Sequence, residues 1–115
     1  PAQAANAFEA ALRRDPENGP AMLGLGRALV QSQEGAISPQ ALNLFTGAAQ
    51  LLPNDPAPVL YLALAASQQK RWADARQLWP EVEKRLPADD PRHAMVAAML
   101  AEAKSPPKAD SPKTD

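Results

Sequence analysis

Three stretches of the chain repeat one spacing of residues. The first places Ala4, Phe8, Ala11 and Pro16, the second Ala41, Phe45, Ala48 and Pro53, and the third Ala75, Trp79, Val82 and Pro87. Steps of four, three and five residues recur in each, and Pro53 and Pro87 lie 34 residues apart. Pro16 and Pro53 lie 37 apart, and the three extra residues fit the turn QSQEGAISP. A helix pair of this length cannot bury its apolar face alone, so a repeated pair has to stack on its neighbours.

The thirteen prolines punctuate the chain, and most gaps between their clusters hold 13 to 17 residues with apolar positions at helical spacing. Helices are expected over 2–14, 20–33, 39–52, 57–69, 71–86 and 91–104. Ser38-Pro39, Asp55-Pro56 and Asp90-Pro91 each set a capping side chain before a proline in the first turn. Pro80 falls inside a helical stretch, where it removes a backbone hydrogen bond and should bend the helix. The longest apolar run, Val59 to Ala66, is Ala/Leu-rich and sits in a helical frame, so no strand is expected. The tail 105–115, SPPKADSPKTD, lacks large apolar groups and reads as disordered or a linker remnant.

Composition narrows the function. The 115 residues suffice for one domain. They are 45% hydrophobic but only 4% aromatic, which suits thin, alanine-rich helices rather than a thick sandwich core. Twelve Lys and Arg against thirteen Asp and Glu give a net charge of −1, which excludes a strongly basic nucleic-acid footprint. There is no cysteine, hence no disulfide, thiolate nucleophile or cysteine metal site. No signal-peptide pattern and no run of eighteen apolar residues occurs.

The period and its pattern of small residue, aromatic, small residue and proline resemble the tetratricopeptide repeat (TPR). That resemblance implies an all-α, TPR-type solenoid of antiparallel helix pairs over residues 1–104. It divides into a half repeat 2–16, repeats 19–53 and 56–87, and a capping helix 91–104. The small residues let paired helices approach, and the aromatic fills the wedge between pairs. The opening in mid-pattern, at PAQAANAFEAAL, reads as a piece of a longer array.

TPR arrays bind peptides in the groove lined by the first helix of each pair. In this register the groove slots are Leu23, Arg27, Val30 and Gln31, then Leu60, Tyr61, Leu64 and Gln68, with Met95, Ala98 and Glu102 on the last helix. Such a lining is mostly apolar and favours an amphipathic helix or apolar peptide. It lacks the lysines and asparagines of the TPR subclass that grips an acidic C-terminus. Several of these positions have an equally good reading as inter-helix core, Leu23 and Leu64 above all.

A narrower resemblance rests on three segments: GAISPQALNLFTGAAQLLPNDP (35–56), WADARQLWPEVEKRLPADDPR (72–92) and HAMVAAMLAEAK (93–104). Together, over roughly 35–104, they are similar to the periplasmic TPR domain of c-type cytochrome biogenesis proteins of the CcmI type and the related NrfG. That resemblance implies a non-enzymatic subunit of the haem-ligation machinery. Its partners would be the C-terminal helix of apocytochrome c and other ligation subunits. Periplasmic placement would come through an N-terminal membrane region absent from this sequence, and no cofactor is expected. The alternative is a general TPR adaptor in another envelope assembly.

Catalytic chemistry is poorly supported. His93 is the only histidine, and no cysteine accompanies it. Asp89 and Asp90 suit the positive end of a helix better than an acid–base pair. Gly24 and Gly26 spell GxG but lie within a helical pattern with no strand before them. Ser32, Ser38 and Ser67 have no histidine base in the repeat frame. Trp79 belongs to the inter-helix wedge, and Trp72 reads as a partly exposed packing residue.

Overall fold

The computed structural model describes residues 2–107. Six helices follow one another: α1 Ala2–Arg14, α2 Gly19–Ser32, α3 Pro39–Leu51, α4 Pro56–Gln68, α5 Trp72–Arg85 and α6 Arg92–Lys104. Each boundary falls within one residue of the expected one, and no strand occurs among the described residues. Each helix packs on the next in chain order, the arrangement of a TPR-like helical repeat. Residues 105–107 leave the last helix; the rest of the tail read as disordered, 108–115, lies outside the described residues.

The helix starts follow from their capping chemistry. Ser38 Oγ accepts from the Ala41 amide at 3.1 Å, and Asp55 Oδ1 accepts from the Ala57 amide at 2.9 Å. Asn18 does the same for the Ala21 amide at 3.0 Å. Each satisfies an amide that the first turn leaves without a helical partner.

The first helix of each pair, α2 and α4, closes in the same way. The Gly35 amide bonds back to the Val30 carbonyl at 2.9 Å, and the Arg71 amide to the Ala66 carbonyl at 2.8 Å. Between these bonds and their helices stand Glu34 (φ 56°) and Lys70 (φ 59°), both left-handed. This turn favours glycine at that position. Glu34→Gly is therefore expected to raise stability by about 0.5–1 kcal/mol, the relief of left-handed strain exceeding the extra chain entropy. A higher midpoint in urea denaturation checks it.

Two clusters of buried side chains form the core. One joins α2, α3 and α4 around Phe45, with Leu23, Ala41, Ala48 and Ala65. The other joins α4, α5 and α6 around Trp79, with Leu60, Ala63, Ala75, Val82 and Val96. Phe45 and Trp79, the aromatics of the repeat, have no exposed surface. Trp79 Nε1 donates to Ser67 Oγ at 3.0 Å, so the indole is buried without an orphaned donor. Trp72 packs half-buried against the same cluster. Helix α5 runs through Pro80 as one element.

Close approach explains two glycines. A Cβ on Gly26 would stand 2.6 Å from Cε1 of Phe45, and one on Gly24 would overlap the Phe8 ring. The GxG pair is thus where α2 admits an aromatic from each neighbouring helix.

Polar side chains tie distant parts of the stack. Gln68 Oε1 accepts from the Ile37 amide at 3.2 Å, while its Nε2 donates to the Gly35 carbonyl at 2.9 Å. Arg85 donates from Nε to the Pro53 carbonyl at 2.8 Å and from Nη1 to Glu81 Oε1 at 3.0 Å. Arg76 Nη1 reaches the Ala103 carbonyl at 3.2 Å. His93 Nε2 lies 2.8 Å from the Pro87 carbonyl, a structural contact across the turn before α6.

Asp90 anchors that turn. Its Oδ1 accepts from the Arg92 amide at 2.8 Å and from Nε at 3.0 Å, and its Oδ2 accepts from Nη2 at 2.9 Å. The Arg92 side-chain bonds, joined by the backbone one, hold the Asp90 carboxyl down to about 2. Free aspartate titrates near 3.9. The contribution is therefore full above about pH 4 and is lost as pH falls toward 2. Asp90→Asn should make the urea midpoint less sensitive to acidification from pH 6 to about 2.5 than it is in the parent chain.

Candidate groove for a partner helix

Helix α2 packs against α1 and α3, and one of its faces shares a groove with residues of α1 and α4. Its residues Gly24, Arg27, Ala28, Val30 and Gln31 line a groove of about 310 Å3, closed by Ala4 and Phe8 from α1 and Tyr61 from α4. Helical spacing puts Gly24, Arg27, Ala28 and Gln31 on one stripe. The bare α2 backbone at Gly24 lets the Phe8 ring lie against it and form a wall of the groove.

Tyr61 is held by stacking. Its ring lies parallel to Phe45, with centroids 4.3 Å apart and planes within 5°. Phe45 is wholly buried, so the Tyr61 ring is backed by core on one side and meets the groove on the other. The Arg27 guanidinium carbon lies 6.0 Å from the Tyr61 ring centroid, at the reach of a cation–π contact. Arg27 is exposed, and no acidic side chain lines the groove.

The structure divides the residues expected here. Arg27, Val30, Gln31 and Tyr61 come together on the groove. Leu23 and Leu60 do not: at 7% and 8% exposure they belong to the two core clusters. Leu64 is half-buried between both clusters, and Met95 packs half-buried against the one around Trp79. Gln68 has its amide engaged by the loop before α3. Phe8, assigned from sequence to the inter-helix wedge, also lines the groove, as do Ala4, Gly24 and Ala28. Phe8 was visible as an aromatic of the repeat; Gly24 carried the one other signal, a glycine inside a helix that has to be explained by close approach.

Among the described residues no group of three His, Cys, Asp or Glu side chains could hold a metal ion. No described helix is long and apolar enough to cross a membrane. The groove presents apolar walls, a stacked phenol, a primary amide and one cation.

Comparisons with known proteins place the chain in a family. The family described as "Cytochrome c-type biogenesis protein H TPR domain" matches residues 1–93, which hold α1 to α5. Cytochrome c-type biogenesis protein CycH of Rhizobium meliloti is 31% identical over 101 residues, 88% of this chain and 26% of that protein. Cytochrome c-type biogenesis protein CcmH of Escherichia coli is 32% identical over 103 residues, 87% of this chain and 29% of that protein. CycH of Bradyrhizobium diazoefficiens is 33% identical over 76 residues, 66% of this chain and 21% of its own length. The chain thus spans less than a third of each of these relatives. With a stacked helical repeat, a groove on its α2 face and a family match over most of its length, the chain belongs to the TPR domains of cytochrome c-type biogenesis protein H.

Proposed function

We propose that this domain is a helix-capturing module of c-type cytochrome maturation, of the CcmI and NrfG type. It holds the C-terminal helix of apocytochrome c for the haem-ligation subunits and acts as a chaperone rather than an enzyme. Its place is the periplasm, tethered through another part of the full-length protein. The groove between α1, α2 and α4 carries the reading. Its Phe8, Val30 and Tyr61 supply apolar and aromatic surface, while Arg27 and Gln31 are polar groups at its edge. An amphipathic helix laid in a groove needs that combination. The names of the related proteins support the pathway.

Titration with synthetic C-terminal helices of c-type cytochromes tests it. Binding at micromolar affinity or tighter is expected, weakened about tenfold or more by Tyr61→Ala with helicity retained. Absence of binding to these helices, with retained binding to an unrelated envelope protein, would favour a general adaptor. Leu60→Ala reports on the core instead, because that side chain is buried beside Trp79.

A further inference from the structure

Among the described residues that line the groove there is one charge, that of Arg27, and no carboxylate. Eight residues line the groove, and Arg27 is the only ionisable one besides the Tyr61 phenol. No ion pair involves Arg27 among the described residues, whereas Arg71, Arg85 and Arg92 each have a carboxylate partner. Arg13, Arg14, Arg76 and Lys104 also have no ion pair among the described residues, so what distinguishes Arg27 is its place on the groove. Its guanidinium lies near the Tyr61 ring, and that ring is fixed by its stack on buried Phe45. The cation is thus positioned at the groove edge without its hydrogen-bonding capacity being spent on protein carboxylates.

We infer that Arg27 selects a partner helix carrying an Asp or Glu side chain beside the apolar anchor that enters the groove, pairing with that carboxylate. The inference rests on the helix-capturing reading above and adds a selectivity to it. Charge complementarity supports it, because an apolar groove bearing a lone cation is matched by an apolar helix bearing a lone anion. The number of cations in the lining favours a side-chain carboxylate over a chain terminus. One arginine and one glutamine serve a single planar carboxylate through a fork of N–H donors. A terminal carboxylate clamp would call for several cations, and the lining holds one. On a partner helix the acid would sit one turn, three or four residues, from the anchor, since those positions share a face.

The test uses C-amidated synthetic helices of about fourteen residues, or four turns. They share one apolar face and differ in one residue four positions after a central leucine, Glu in one and Gln in the other. The domain should bind the Glu helix about five- to tenfold tighter than the Gln helix. Arg27→Gln should remove that preference while leaving the melting curve in place, since the side chain is exposed. Arg27→Lys should recover only part of it, because a point charge replaces a fork. Equal affinity of the parent domain for both helices overturns this inference and leaves helix capture standing. No binding of either helix overturns both. A Gln helix with a free C-terminus that binds as tightly as the amidated Glu helix, in an Arg27-dependent way, overturns the assignment to a side-chain carboxylate.

Discussion

Trp79→Ala should cost this domain about 3–5 kcal/mol, the range for removing a large buried aromatic from a packed interior. The side chain has no exposed surface and sits where α4, α5 and α6 meet, so no single helix can move in to fill the void. The loss also strands Ser67 Oγ, which now accepts from the indole nitrogen in a buried contact. Domains of this size are stable by roughly 5–15 kcal/mol, so the variant should be near the limit of folding at growth temperature. Urea denaturation followed by circular dichroism measures the difference. Trp79→Phe keeps most of the volume but drops the N–H donor, and should cost distinctly less. If Trp79→Ala melted within about two degrees of the parent chain, the C-terminal core would not be organised around this ring.

Gly26→Ala sets two effects of opposite sign against each other. Alanine is favoured over glycine inside a helix by about 1 kcal/mol. The added methyl, however, would stand 2.6 and 2.7 Å from two ring carbons of Phe45. That ring is completely enclosed and stacked on Tyr61, so it cannot swing aside as a surface side chain would. Overpacking of a filled core costs about 1–3 kcal/mol. The clash should win, leaving a net loss of about 1 kcal/mol and a Tyr61 ring shifted from the groove wall. The variant is therefore expected to lose stability and helix affinity together. A variant that gained stability and kept its affinity would show that Phe45 has room the structure does not give it.

The helices were legible because their ends are written in local chemistry. Ser38-Pro39 and Asp55-Pro56 mark starts that need no knowledge of the rest of the chain, and both side chains cap as expected. The repeat of Phe45 and Trp79 located the two cores for the same reason: a wedge between helix pairs needs a large ring at a fixed step. The groove was only partly legible. Helix α4 runs PAPVLYLALAASQ, apolar nearly all round, because it packs against α3 on one side and α5 on the other. Such a helix has no polar face to orient it, so spacing alone could not say that Leu60 turns inward while Tyr61 meets the groove. In α2 the decisive residues are glycines, whose role appears only when Phe8 and Phe45 are placed against them. The engagement of Gln68 was not legible because its partners, the Gly35 carbonyl and the Ile37 amide, lie more than thirty residues away in a loop.

The bond between Gln68 and the loop before α3 gives the molecule an internal gauge of its own integrity. The Ile37 amide is not guarded by its own turn but by a side chain borrowed from the following helix pair. Loosening of α2 by itself need not release that hydrogen; parting of the two pairs must. Its rate of exchange with deuterium therefore tracks how often the neighbouring units come apart, and a captive helix spanning α2 and α4 would slow it from a distance.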